Sequence, residues 1–251
     1  HQYPHKVASE IFLHLEYPDT ILQQIKDSEI LKNKKYLYSD LGFYIFKEII
    51  EDEYNMPLQN IADNLFYQKL GMENLGYLPL SSIDENRIVP TEMDFEFRSQ
   101  LLKGYVHDMG AAMQGGIGGH AGLFSNANDL AKIMQMYLNN GEYGSEKYLS
   151  PEVISEFIKC QFPDNDNRRG AGFDKAALAN QEGGPASANS SSQSFGHSGF
   201  TGTLAWADPK NNLIYIFLSN RIHPDASNKK LLDLNVRTKI MEVIYDSIND
   251  K

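Results

Sequence analysis

A histidine beside a hydroxyl side chain stands out in the stretch SFGHSGFTG at 194–202. Imidazole changes charge near neutral pH and can take up or release a proton in catalysis. His197 is therefore a candidate catalytic residue, although a lone histidine here is more commonly a hydrogen-bonded surface side chain.

Ser198 is a weaker candidate for a nucleophile. Residues 196–200 approach the nucleophile elbow G-x-S-x-G, but Phe200 stands where the last glycine belongs. The elbow also requires a helix after the serine, whereas a β-hairpin is predicted to follow Ser198. Gly199, at the start of an edge strand, would allow a ligand to lie close to the backbone.

A second candidate site is Tyr38-Ser39-Asp40, directly before an apolar segment. Tyr38 and Asp40 could point into one cleft, with the tyrosine as a proton acceptor. This requires the tyrosine pKa to fall well below about 10, which nearby cations would promote. The alternative is structural, with Asp40 as the N-cap of a helix that begins at Leu41 and Tyr38 packed at its entry.

The glycine-rich segment GGIGGHAGLFS at 115–125 carries His120. It contains no lysine, and no helix opens directly after GGIGG, so a close-packed crossing of the chain is favoured over a phosphate cradle. His107-Asp108 has no second ligand at helical spacing, and the sequence has no HExxH motif. We therefore predict no metal site and no cofactor.

Composition narrows the classes of partner. The 251 residues are 41% hydrophobic and 22% charged, with a formal net charge of −10, which argues against a nucleic-acid partner. The longest apolar runs, such as LIYIFL at 213–218, are too short to span a membrane. The single cysteine, Cys160, cannot form an intramolecular disulfide.

The predicted elements run from helices to strands. Helical patterns cover 7–31 (broken at Pro18), 41–55, 56–71, 126–141 and 150–160, and a polar segment follows at 161–194. The stretches TLAWA and LIYIFLS around DPKNN predict a β-hairpin. The last predicted helix has one apolar stripe, formed by Leu232, Val236, Ile240 and Val243. This order predicts the α+β class.

Taken together, Y-S-D before an apolar helix, GHAGLFSNANDLAKIMQMYL and a late H-S-G resemble the class C β-lactamase and penicillin-binding-protein superfamily of serine hydrolases. The resemblance covers 1–251 and is closest to β-lactamase-like domains of Bacteroidetes type, some of which follow a family 3 glycoside hydrolase. It implies a single domain with part of the β-lactamase/transpeptidase-like fold. The expected parts are a helical lobe at about 1–160, a polar loop at 161–194, and antiparallel strands with a covering helix at 195–251.

The resemblance also implies roles for individual residues. Tyr38 would be the general base, and Asp40 stands where the family often has asparagine, so it cannot donate an N–H when ionised. His197 replaces the lysine of K-T-G as a weaker, titratable cation near the substrate carboxylate. Ser198 would hydrogen-bond substrate, Gly199 would allow close approach, and the Phe200 N–H would form half of the oxyanion hole.

The family's first motif, S-x-x-K, is missing from its usual place before the tyrosine motif. Ser9 and Ser28 lack the lysine, and the only match, Ser227 with Lys230, follows H-S-G and is interpreted as a chance match. We therefore expect an N-terminally truncated domain with no nucleophile in this chain. Exposed edges and apolar faces would then be covered by a preceding segment, a glycoside hydrolase domain or a second copy.

The resemblance implies part of a serine hydrolase that forms an acyl-serine on a small-molecule or peptidoglycan-like substrate, in the periplasm or at the cell surface. The chain alone is expected to be inactive. Two alternatives remain open: a non-catalytic homologue that binds muropeptides, which the aspartate at position 40 favours, and a purely structural domain.

Overall fold

A computed structural model of the chain describes residues 2–32, 36–178 and 184–249. The chain forms two compact units, His1–Ser125 with Ile222–Asp225, and Asn126–Arg221 with Ala226–Lys251. Helices occur with antiparallel strands, which confirms the predicted α+β class. The expected helical part, 1–160, extends beyond the first unit into the second.

The regular elements of the first unit are mostly helices, together with two short antiparallel ribbons. Its elements are β1 (His5–Ala8), β2 (Ile11–Leu13), α1 (Tyr17–Lys26), α2 (Leu41–Tyr54), α3 (Leu58–Ala62), β3 (Glu92–Asp94), β4 (Gln100–Leu102) and α4 (Met109–Ala112). A π-helical turn at Asp63–Tyr67 continues α3. A small core of Val7, Leu13, Val106, Ala111 and Ala112 joins the β1–β2 ribbon to α4.

The predicted helix over 7–31 is wrong in its first half. Residues 5–13 form the β1–β2 ribbon, in which Val7 and Leu13 are buried. The helix begins only at Tyr17, so Pro18 lies in its first turn, where no backbone N–H is needed. The helix predicted from Leu41 is confirmed, and it ends at Tyr54 before a left-handed Asn55.

A buried ion pair fixes the chain that leads to α4. Nε of Arg98 lies 2.7 Å from Oδ2 of Asp94, and the same guanidinium donates to the carbonyls of Val106 and His107 at 2.6 Å each. Burial raises the pKa of Asp94, but the Arg98 and Phe97 donors outweigh burial and hold it below its usual range. Both charges are therefore compensated inside the unit.

The second unit is built around a four-stranded antiparallel sheet in the order β10-β9-β8-β7. Its elements are α5 (Ala127–Leu138), β5 (Glu142–Tyr143), β6 (Glu146–Lys147), α6 (Pro151–Ile158), β7 (Asp174–Lys175), β8 (Phe195–Ser198), β9 (Leu204–Asp208), β10 (Leu213–Phe217), α7 (Lys230–Asp233) and α8 (Val236–Asn249). The predicted hairpin is confirmed as β9–β10, with Trp206 opposite Tyr215. The segment 161–194, expected to be a loop, contains β7, and residues 179–183 lie outside the described residues.

Helices cover both faces of this sheet. On one face, Met134 and Leu138 of α5 pack against Phe195 and Ala207. On the other face, a second cluster contains Leu204, Trp206 and Tyr215 from the sheet and Met241 and Tyr245 from α8. Trp206 and Phe195 are almost completely buried, which anchors the strand that carries H-S-G.

The apolar stripe predicted for the last helix is not its buried face. Met241 and Tyr245, one helical turn apart, face the sheet, whereas Ile240 is 40% exposed and Val243 is 64% exposed. The predicted stripe does not include Tyr245. This residue can be buried because its hydroxyl donates a hydrogen bond to the buried carboxylate of Asp208. Helix α8 therefore carries a second apolar face that the described residues leave exposed.

Candidate active site

The Tyr38-Ser39-Asp40 motif lies in the first unit, immediately before α2. Tyr38 is 55% exposed, and Asp40 is half-buried at the N-cap position. Within the described part of the chain, the Asp40 side chain makes no capping hydrogen bond. Instead, Ser39 Oγ accepts from the N–H of Leu41 at 3.2 Å. Asp40 is therefore the N-cap of the helix that begins at Leu41, as the structural alternative predicts, but its side chain does not cap the helix.

The buried residue of α2 connects this motif to the glycine-rich segment. The Tyr44 ring stacks on His120 with centroids 4.6 Å apart. Nε2 of His120 lies 2.8 Å from Oδ1 of Asp108. Burial, together with the negative charges of Asp108 and Asp40, raises the pKa of Tyr44 to about 12. Tyr44 is therefore held in its protonated form near the motif.

Asp108 and His120 form an acid–imidazole pair that sequence analysis missed. Burial raises the pKa of Asp108, but donors from His120 and from the N–H of Ala111 outweigh it and hold that pKa below its usual range. Asp108 precedes the glycine-rich segment and His120 lies within it, at a separation of 12 positions that no local motif reveals. His107 contacts Glu92 instead. Among the described residues, no group of three or more metal-ligating side chains is arranged around an ion site.

The glycine-rich segment is a close crossing of the chain, as the sequence predicted. A Cβ on Gly119 would lie 2.4 Å from the carbonyl oxygen of Phe43 in α2. In α4, before this segment, a Cβ on Gly110 would lie 1.8 Å from the hydroxyl oxygen of Tyr44. The two glycines therefore allow α4 and the glycine-rich segment to pack directly against the helix that follows Tyr38.

The H-S-G motif lies in the second unit, at the end of β8. Strand β7 pairs only with Phe195 and Gly196, so His197 and Ser198 extend beyond it along the outer edge of β8. Their other edge pairs with Ala205 and Leu204 of β9. Both residues are half-buried.

Gly199 and Phe200 follow the strand rather than continue it. The N–H of Gly199 donates to the carbonyl of Thr203 at 2.9 Å, and a Cβ on Gly199 would lie 2.4 Å from Thr203 Oγ1. Phe200 lies in the turn and is 63% exposed, and its ring lies 4.7 Å from the Arg221 guanidinium carbon. The group that lies close to Gly199 is thus Thr203, in the turn of the same chain.

Sequence analysis also missed a guanidinium group at this edge. Nη1 of Arg169 lies 2.8 Å from Nε2 of His197, although the residues are separated by 28 positions. Arg169 comes from the segment 161–194, which the sequence predicts to be a polar loop. No spacing rule connects it to H-S-G, because the contact depends on how β7 aligns with β8.

A family model for β-lactamases matches residues 2–238. The chain belongs to the β-lactamase family. A Salmonella newport relative named D-alanyl-D-alanine carboxypeptidase is 34% identical over 248 residues, which cover 92% of this chain and 56% of the relative. The chain thus spans little more than half the length of that relative.

Solved structures of the β-lactamase family and related folds support the same architecture. A β-lactamase from Mycobacterium bovis superimposes with a TM-score of 0.58 at 18% identity, covering 85% of this chain and 65% of that chain. Unliganded simvastatin synthase from Aspergillus terreus gives a TM-score of 0.62 at 13% identity, covering 96% of this chain and 70% of that chain. The family membership and the β-lactamase/transpeptidase-like fold expected from the motifs are confirmed.

The one S-x-x-K match in this β-lactamase-family chain, at 227–230, does not have the helical geometry that would bring its serine and lysine together. Ser227 lies in a turn and α7 begins only at Lys230, so the two residues do not share a helix face. Both are exposed. Among the described residues, no helix is both long and apolar enough to cross a membrane.

Proposed function

We propose that the chain is part of a serine hydrolase of the β-lactamase, DD-peptidase or esterase type, and that its nucleophilic serine comes from a segment outside this sequence. The observation that carries the proposal is the H-S-G motif at an open strand edge in a chain of the β-lactamase family. The serine hydroxyl attacks a substrate carbonyl, the leaving group departs with a proton, and water then releases the acyl group.

The roles of the candidate residues follow the family motifs. Tyr38 takes the proton of the serine hydroxyl, and Asp40 orients the lysine of S-x-x-K. At the strand edge, Ser198 hydrogen-bonds substrate, Gly199 provides space and the Phe200 N–H stabilises the oxyanion. His197 lies beside the substrate carboxylate.

Exposed apolar surfaces support a covering segment. In α2, Phe46 is 58% exposed and Ile49 is 56% exposed, although the helix is strongly apolar. In the second unit, Val243 of α8 is 64% exposed. Contiguous apolar surface is uncommon on a free protein, and this chain covers only 56% of the relative's length, so a segment that carries S-x-x-K would cover these faces.

The relative's name supports peptidoglycan-like peptides as substrates, and with them a periplasmic or cell-surface location. The second candidate function is a non-catalytic binder of muropeptides. The observation that favours it is Asp40, whose carboxylate cannot donate the amide hydrogen bond that asparagine would supply.

Covalent labelling with a fluorescent penicillin tests the proposal. The chain alone should form no adduct, whereas its complex with a segment carrying S-x-x-K should be labelled at that serine. Labelling of Ser198 or Ser227 in this chain would contradict the proposal. Muropeptide binding by an unlabelled complex, together with coding sequence before His1 that lacks S-x-x-K, would favour the binder instead.

A further inference from the structure

Residues 199–203 form a closed turn after β8. The N–H of Gly199 donates to the carbonyl of Thr203 at 2.9 Å, and the N–H of Gly202 donates to the carbonyl of Gly199 at 3.0 Å. In a trans peptide unit the carbonyl and the N–H point in opposite directions. Because the Gly199 carbonyl points into the turn, the N–H of Phe200, which belongs to the same trans peptide unit, points out of it. The conformation of the turn therefore sets the direction of that N–H.

Arg221, which follows the end of β10, binds two successive carbonyls of this turn. Its Nε donates to the carbonyl of Phe200 at 3.0 Å. Its backbone N–H donates to the carbonyl of Thr201 at 2.9 Å. The guanidinium carbon also lies 4.7 Å from the centroid of the Phe200 ring, so the same group contacts both the backbone and the side chain at this position.

The guanidinium group of Arg221 is held at its other end as well. Its Nη1 donates to the carbonyls of Ala226 and Asn228, at 3.2 Å each. Hydrogen bonds from a charged donor are stronger than those from a neutral donor, and the planar guanidinium directs several N–H groups at once. Arg221 therefore joins the turn to the segment 226–228.

The rest of the turn is bound by neighbouring elements. Oγ of Ser219 donates to the carbonyl of Gly202 at 2.9 Å, and a Cβ on Gly202 would lie 2.4 Å from that Oγ. Nη1 of Arg237, in α8, donates to the carbonyl of Thr203 at 2.9 Å. Each carbonyl from 200 to 203 thus accepts a hydrogen bond, so the conformation of the turn is set before any ligand binds.

We propose that Arg221 is a positioning residue that holds the 199–203 turn so that the N–H of Phe200 points at the oxyanion formed during acylation. The inference deepens the proposed function and rests on it for the reaction and for the role of this N–H. Oxyanion donors are effective because they are fixed before the charge develops. A displacement of about 1 Å in such a group can cost about 10²-fold in rate. Arg221 acts through the turn and does not contact substrate.

Amide hydrogen exchange on the 251-residue chain, followed by nuclear magnetic resonance, tests the geometry. In Arg221→Gln, the amides of Gly199 and Gly202 should exchange about tenfold faster or more, because their hydrogen bonds close the turn. The protected amides of β9 and β10 should keep their exchange rates. A general loss of stability would instead accelerate both sets of amides equally.

Acylation of the complex with a segment that carries S-x-x-K tests the role in the reaction. The probe is a fluorescent penicillin, and the measured quantities are the acylation rate constant at saturation and the half-saturating concentration. Arg221→Gln should lower the rate constant about tenfold to hundredfold and change the half-saturating concentration by less than about threefold. A merely structural role would reduce the amount of labelled complex without changing its rate constant.

Two further variants separate geometry from charge. Lys230→Gln is the matched control, because Lys230 is exposed and lines the same cavity as Arg221. Removing its charge should change the exchange rates at 199–203 and the acylation rate constant by less than about threefold. Arg221→Lys keeps the charge without the planar guanidinium, so it should recover only part of both effects.

Several results would overturn the inference: wild-type exchange of Gly199 and Gly202 in Arg221→Gln, equal acceleration throughout β9 and β10, or an unchanged acylation rate constant. The outcome is separable from that of the proposed function. A turn that depends on Arg221, in a complex that never forms an acyl-serine, contradicts the hydrolase alone. A complex that is acylated with the wild-type rate constant in Arg221→Gln contradicts the positioning role alone.

Discussion

The hydroxyl of Tyr245 donates a 2.7 Å hydrogen bond to Oδ2 of Asp208, a carboxylate with no exposed surface. Ser191 and Asn211 donate to the same group. Burial raises the pKa of Asp208, but these donors outweigh burial and hold it below its usual range. The contact fastens α8 to the end of β9.

This carboxylate should make stability depend on acid pH. Because its folded-state pKa is depressed, its contribution is complete above the unfolded value of about 3.9 and is lost as pH falls towards the lower folded value. In the Asp208→Asn variant, the free energy of unfolding should therefore fall less between neutral pH and pH about 3 than it does in the wild type. Part of the fall should remain, because the pKa values of Asp94 and Asp108 are also depressed. Urea unfolding at several pH values measures this. Asp233→Asn, on the exposed surface of α7, is the control, and its free energy of unfolding should depend on pH as the wild type's does.

The Arg98–Asp94 pair should be essential for the first unit. Arg98→Ala leaves a buried carboxylate without its guanidinium partner, and we expect a loss of about 3–5 kcal/mol in the free energy of unfolding. Urea denaturation followed by circular dichroism measures the loss. The exposed Arg87→Ala is the control, expected to stay within about 0.5 kcal/mol of the wild type. Equal losses in the two variants would contradict the interpretation.

Two glycines near Tyr38 should respond in opposite directions to alanine. Gly119→Ala places a methyl group 2.4 Å from the Phe43 carbonyl and should cost about 1–3 kcal/mol of stability. Gly42→Ala, inside α2, meets nothing within 4 Å and should stabilise the chain by about 0.5–1 kcal/mol. Thermal unfolding of both variants measures the difference. A stabilising Gly119→Ala would show that the glycine-rich segment does not pack against α2.

The exposed apolar face of α2 should make the isolated chain associate. Replacing Phe46 and Ile49 by serine removes two side chains that are each more than half exposed, and should lower the mean mass measured by light scattering. Val89→Ser, at a position that is 66% exposed outside this helix, is the control and should leave the mass unchanged. A wild-type chain that remains monomeric at all concentrations would count against a covering partner.

The sequence predicted elements whose signals are local. The β9–β10 hairpin follows from two β-rich runs around DPKNN, and α6 follows from Ser150, whose Oγ accepts from the N–H of Val153. The helix predicted over 7–13 is wrong, because so short a run fits either period and the packing of Val7 and Leu13 into one core with α4 decides between them.

The sequence predicted only those candidate site residues that belong to a recognisable motif. Tyr38, Asp40 and His197 were found by their neighbours in the sequence, and their roles stay predictions. Arg169 and the Asp108–His120 pair depend on chain crossings that bring distant positions together, so composition and periodicity contain no signal for them.

Helix α8 packs one face on the sheet through Met241 and Tyr245 while Val243 faces outward. A segment that binds to the second apolar face of a helix raises the free energy of unfolding of the chain. The increase grows with the logarithm of the segment's concentration relative to its dissociation constant. Folding and recruitment of the covering segment would then be one linked equilibrium. The melting temperature of this chain should rise on titration with that segment, so that it reports the affinity between the two.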